Sequence, residues 1–145
     1  MNQCLIISLL LLIACGGNYY QQGGCDAYQN VFECRELNDE EIIWFYELLH
    51  CLQIEQDFKW PSVALVKGDL PCGKMQTSAG CYKNHSQTIG INSIYYEEYY
   101  REIRYSEGLF KHESTHYIME KLTGDLDPKH TNYKWQQLEE CLANE

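Results

Sequence analysis

The chain predicts an α+β domain, small and stapled by disulfides. Three observations lead there. Two stretches, 42–52 and 109–122, carry apolar residues at helical spacing. Between them lie short runs at 62–67, 81–83 and 88–91, rich in strand-forming residues and bounded by turn formers. Six cysteines, Cys25, Cys34, Cys51, Cys72, Cys81 and Cys141, fall inside the same region. An even count in a small exported domain reads as up to three disulfides, of 15 possible connectivities. At 145 residues the chain holds one domain, expected over 25–145 as motif helix and N-terminal helix packed on a small, mostly antiparallel sheet.

The first segment stands outside that domain. Residues 5–14 are nearly unbroken apolar sequence, interrupted by Ser8. That is too short to span a bilayer and suits the core of a signal peptide, although Met1-Asn2-Gln3 carries no basic residue. Its end, Leu12-Ile13-Ala14-Cys15-Gly16, resembles the lipobox of bacterial lipoproteins. The resemblance implies a signal peptide over 1–14, lipidation of Cys15, and export to a lipid-anchored place on the bacterial cell envelope, periplasmic or cell-surface. Residues 15–24 then make a lipidated cysteine and a Gly-, Gln- and Asn-rich tether, whose last nine residues span about 15–18 Å as a coil.

Within the domain, 25–37 is expected to be a disulfide-pinned loop with a short helical turn. Asn38 is a good N-cap, and Glu41 three residues on completes a capping box. Ile42, Phe45, Leu49 and Leu52 continue the stripe, and the helix is expected to reach about Phe58 before Trp60-Pro61 ends it. The loop between Cys72 and Cys81, with Pro71, Gly73 and Gly80, is the natural site of a local bridge, and Cys141 is expected to tie back to a distant element. Strands at 81–83 and 88–91 flank a polar Asn84-His85-Ser86 turn. Tyr95, Tyr99 and Ile103 share an i, i+4 face, which predicts a short helix over 93–105. A closing helix over 133–142 carries Trp135 and Leu138 on its apolar side.

Charge narrows the partners. The net charge is −10, and residues 1–14 contribute none of it. Such a chain repels phosphate backbones, so nucleic acid is not an expected partner. A polybasic grip on anionic lipid is equally absent, and the anchor to the membrane would be the acyl chains on Cys15. A monomer is expected.

The chemistry gathers in His112-Glu113-Ser114-Thr115-His116. On a helix the two histidines lie one above the other and can offer imidazole nitrogens to one tetrahedral zinc ion, one per chain. Glu113 is placed to act as general base on a zinc-bound water, the arrangement of metal-assisted hydrolysis. Apolar neighbours, Gly124 as a stop and Pro128 beyond it support the helix. Catalytic zinc takes three protein ligands. Met119 and Leu122 stand where the metzincin continuation would place Gly and His, which excludes that family. His130, Asp125 or Asp127, and Glu139 or Glu140 remain open as the third ligand. Asp127, if not a ligand, is positioned to accept a hydrogen bond from a ligand imidazole.

His112-Glu-x-x-His116, followed by Thr123-Gly124-Asp125-x-Asp127-x-x-His130, Trp135 and Cys141, resembles a group of small bacterial zincin-like lipoproteins of the metallopeptidase type. The likeness covers about 108–141. It implies a zincin-like fold, zinc at His112, His116 and His130, and catalytic Glu113. The expected activity is zinc-dependent hydrolysis of peptide bonds in a peptide or protein substrate, with Tyr117, Tyr133 or His85 as oxyanion donor. Activity would fall as the ligand imidazoles protonate near pH 6–7. In zincins an edge strand holds the substrate, and 88–91 is the expected edge. The alternative is a non-catalytic, zinc-binding surface lipoprotein serving adhesion, metal capture or interaction. An intact Glu113 favours chemistry, since a purely structural site needs no base.

Overall fold

A computed structural model of the chain describes residues 22–92, 97–99, 102–104 and 106–143. The expected signal peptide, Cys15 and the first part of the tether lie outside the described residues. The elements run α1 (Gln22–Cys25), β1 (Val31–Arg35), α2 (Asp39–Cys51), β2 (Ser62–Val66), β3 (Gly80–Tyr82), β4 (Thr88–Asn92), β5 (Glu97–Tyr99), β6 (Glu102–Arg104), α3 (Glu107–Thr123) and α4 (Lys134–Leu142). The class is α+β, as the sequence predicts. Four strands form one mixed sheet in the order β1-β2-β4-β3. β1 and β3 pair antiparallel with their neighbours, while β2 and β4 run parallel.

Side-chain alternation along β2 explains why both faces of the sheet are covered. Val63 and Leu65 point to one side and join Phe45, Leu48, Ile89, Ile91, Phe110 and Ile118 in the main core. Ala64 and Val66 point to the other and pack with Cys25, Tyr28, Leu70 and Cys81. Tyr28 closes that second face: its hydroxyl donates to the carbonyls of Cys81 at 2.8 Å and Thr88 at 2.6 Å. Its ring lies so close to the sheet that a Cβ at Gly90 would sit 2.6 Å from Cε1, so only glycine fits there. Truncating a fully buried anchor such as Phe45 would cost about 3–5 kcal/mol.

α2 begins as its sequence dictates. Asn38 Oδ1 accepts from Glu41 N–H at 2.8 Å, and Glu41 Oε2 accepts from Asn38 N–H at 2.9 Å, a complete capping box. The helix stops at Cys51, short of the expected Phe58. Gln53 turns left-handed at φ 53°. Ile54 N–H donates to Leu49 O and Gln53 N–H to His50 O, the Schellman pattern that ordinarily recruits glycine. α3 carries the expected signals at both ends: Ser106 Oγ accepts from Leu109 N–H, and Gly124 caps at φ 78°.

Three disulfides join Cys25 to Cys34, Cys51 to Cys141 and Cys72 to Cys81. The short loop bridge and the long tie from Cys141 are both as expected. Three bridges in so small a domain point to an oxidising, exported environment. No helix among the described residues is long and apolar enough to cross a membrane.

Four expectations need correction. Residues 97–99 and 102–104 pair antiparallel, β5 with β6, in place of the expected helix over 93–105; aromatic residues fit a pleated surface well, and the remainder of that stretch lies outside the described residues. Residues 31–35 form a strand where a loop was expected. The last tether residues, from Gln22, form one helical turn, with Gly24 pressed against Ser86 and Thr88. Finally, β4 is paired on both sides and cannot be an edge; the edge on that side is β3.

Candidate metal centre

Three elements build the site. α3 presents His112 and His116 one turn apart. The turn after Gly124 carries His130 back over the helix, and α4 supplies the floor. One ring nitrogen from each histidine falls within 4.8 Å of the other two. His116 Nε2 and His130 Nε2 stand 3.2 Å apart. A tetrahedral ion with metal–nitrogen bonds of about 2.0–2.1 Å places its donors about 3.3 Å apart, so that pair already spans one edge of a tetrahedron.

The tautomer of His116 follows from its partner. Its Nδ1 lies 2.7 Å from the Leu126 carbonyl, which can only accept. Nδ1 therefore carries the proton, and the Nε2 lone pair faces the cluster. This orienting partner is a backbone carbonyl and not Asp127. Burial, then the neighbouring His116 and His130, pulls the His112 pKa down to about 4. Burial also lowers that of His116, against the raising effect of the Leu126 hydrogen bond. Both rings are thus held neutral, the form in which imidazole binds a metal. The donor set fits an ion with three protein ligands and one open position.

Asp127 holds the turn. Its Oδ1 accepts from Thr131 Oγ1 at 2.7 Å, and its Oδ2 accepts from Asn132 N–H at 2.7 Å and Trp135 Nε1 at 3.0 Å. Burial opposes ionisation of this carboxyl, but the hydrogen bonds from Asn132, Thr131 and Trp135 outweigh it and bring the pKa down to about 2. Asp127 and His130 both adopt left-handed backbone, at φ 49° and 53°. Two non-glycine residues in that region of one turn carry strain of order 1–3 kcal/mol each, which such a network must hold in place. Asp125 Oδ1 accepts from Asp127 N–H at 2.9 Å. Both aspartates, open as third ligands from sequence, are therefore engaged within the turn, and neither belongs to the three-nitrogen cluster.

Trp135 is the residue whose part in the site the sequence reading missed. It is 6% exposed, and its indole lies 5.0 Å from the His112 ring, 4.6 Å from His116 and 4.0 Å from His130, centroid to centroid. One ring lies against all three imidazoles, and its Nε1 bond to Asp127 links that platform to the turn. Its place five residues after His130 was the available signal.

Glu113 is buried on the β3 side of α3. Its Oε2 accepts from Tyr82 N–H at 2.8 Å, a group on the edge of β3 that faces away from β4. A Cβ at Gly80 would lie 2.7 Å from Glu113 Cγ, so the glycine makes room for this carboxylate. Burial raises the Glu113 pKa to about 7, and the Tyr82 hydrogen bond pulls the other way. Two turns further along the same face, buried Glu120 accepts from the Tyr82 hydroxyl and from His85 Nδ1 at 2.8 Å. His85 thus braces the β3–β4 turn. Tyr117 donates its hydroxyl to the Lys59 carbonyl. Of the three expected oxyanion donors, Tyr133 is the one that borders an open cavity with His112 and His130. Glu139 lines the same cavity.

Comparison with protein-family models, with curated proteins and with solved structures finds no match to this chain. The reading of the site rests on its own geometry.

Proposed function

We propose that the protein is a zinc-dependent metallopeptidase. The observation that carries this reading is the convergence of three imidazole nitrogens, two of them from the helix that also carries the buried Glu113. His112, His116 and His130 would hold the ion. When bound, zinc supplies Lewis acidity, polarising a peptide carbonyl and lowering the pKa of water at its open position. Glu113, the carboxylate next to His112 on the helix, would take a proton from the attacking water and return it to the leaving amine. Tyr82 N–H orients that carboxylate. β3 is the last strand of the sheet on the Glu113 side, and Glu113 itself occupies the outward Tyr82 N–H. Trp135 and Asp127 keep the ligand rings in register. The zincin-like fold and lipid attachment through Cys15 complete the proposal, with the enzyme anchored to the bacterial cell envelope on its periplasmic or cell-surface face.

The test combines elemental analysis with hydrolysis of a quenched-fluorescent peptide library. The oxidised parent is expected to carry about one zinc per chain and to cleave. Glu113→Gln keeps the zinc and loses cleavage, while His130→Ala loses most of the zinc. A folded, oxidised parent without metal, or undiminished cleavage by Glu113→Gln, would sink the proposal. Zinc retained in a parent that cleaves nothing would favour a metal-binding surface protein.

A further inference from the structure

We infer that the cavity beside the histidine cluster is a subsite for a basic side chain of the substrate, with Glu139 as the residue that reads its charge. The inference deepens the peptidase reading and rests on it for the word substrate. The cavity has a volume of about 370 Å³ and is walled by His112 and His130 on one side and by α4 on the other. That lies at the small end of ligand pockets, about 300–1,000 Å³, and suits one side chain. Because two ligand histidines form its wall, a group held there lies next to the proposed reacting bond.

The α4 wall has a consistent chemistry. Leu138 and Leu142, one turn apart, give it an apolar strip, and Glu139 stands beside them. Among the described lining residues Glu139 is the one carboxylate, and no lysine or arginine is present. A lysine or arginine fits this pattern: its methylene stem lies along the leucines and its cationic head reaches the carboxylate. The net charge of −10 favours the approach of cations and opposes acidic segments. A norleucine of the same length would gain the apolar contact alone.

The test needs no turnover. The ¹⁵N-labelled, oxidised protein is titrated at low ionic strength with Nα-acetyl-lysinamide and with Nα-acetyl-norleucinamide, following the amides of Gln136, Glu139 and Leu142. The lysine derivative is expected to bind about three- to fivefold more tightly, the upper end of what a solvent-exposed ion pair supplies. Glu139→Gln, an exposed helix position, should abolish that difference and leave norleucinamide binding unchanged. Equal affinities in the parent, a lysine preference that survives Glu139→Gln, or no shift in α4 with either probe would each overturn the inference. The two readings fail separately. Lysine-selective binding in a protein that hydrolyses nothing removes the peptidase and keeps the subsite. Cleavage without preference for a basic residue near the scissile bond keeps the peptidase and removes the subsite.

Discussion

Replacing Asp127 by alanine tests how the third histidine is held. The carboxylate accepts three hydrogen bonds within one short turn, from Thr131, Asn132 and Trp135. Its removal leaves the buried indole N–H and the Asn132 N–H without their acceptor, at about 1–3 kcal/mol each. The hydrogen bonds that bring its pKa from 3.8 down to about 2 favour the ionised folded state. The two lost acceptor contacts together predict a loss of about 2–6 kcal/mol at neutral pH. The sign follows from the direction of the shift: the stabilisation is fully present above pH 3.8 and is lost as pH falls through about 2. Urea unfolding of parent and variant should therefore give a constant gap from pH 8 to about 4, narrowing below it. Because His130 rides on the same turn, zinc affinity measured by competition with a chelator should drop about 10- to 100-fold, the usual cost of losing a group that orients a ligand. A variant within 0.5 kcal/mol of the parent, with unchanged zinc affinity, would show that the turn does not depend on Asp127.

Three further predictions follow from the same geometry. In metal-free protein Glu113 is raised from 4.5 to about 7, so the parent should lose about 3 kcal/mol between pH 4.5 and 7 relative to Glu113→Gln; parallel stability curves for the two proteins would contradict the burial argument. NMR titration of the metal-free imidazoles should place the His112 midpoint near 4 and that of His116 below 6.5; an ordinary His112 value would mean that its ring is not desolvated. Replacing both Cys51 and Cys141 by alanine should cost about 2–5 kcal/mol in chemical denaturation, because that bridge closes a loop with a sequence separation of 90. A stability within error of the parent would show that the bridge contributes nothing to the folded state.

Those pKa shifts alter one expectation. Sequence alone assigned the acid limb of activity to protonation of the ligands near pH 6–7. Desolvation moves His112 well below that range and lifts Glu113 into it. In the metal-free protein Glu113, and not His112, is then the group expected to titrate near neutrality.

What could be read beforehand was whatever a residue type or a spacing encodes directly. Asn38 with Glu41, Ser106, Gly124 and the i, i+4 histidines each announce a local geometry. The Cys72–Cys81 loop announces a bridge. The end of α2 escaped notice because Gln53 supplies a left-handed conformation usually marked by glycine. The helix expected over 93–105 failed because i, i+4 tyrosines also suit strands, and no cap separated the two readings. The support of Glu113 by Tyr82 N–H and of His116 by the Leu126 carbonyl involves backbone groups that every residue carries. Such partners leave no trace in composition. Trp135 was visible as an apolar residue, but its contact with three imidazoles depends on how the turn folds back.

The order of parts along the chain also governs when the site comes into being. Cys51 leaves the synthesis machinery long before its partner Cys141, and His130 and Trp135 emerge only shortly ahead of that partner. Neither the third imidazole nor its supporting indole exists while α2 and α3 are already complete. Tying α4 to α2 then requires an oxidant. A chain still threading through a reducing compartment would therefore carry two histidines and an unfinished floor, a poor trap for zinc. The last covalent tie of the fold thus closes next to the last histidine of the cluster, and both are set only once the C-terminal helix has been made.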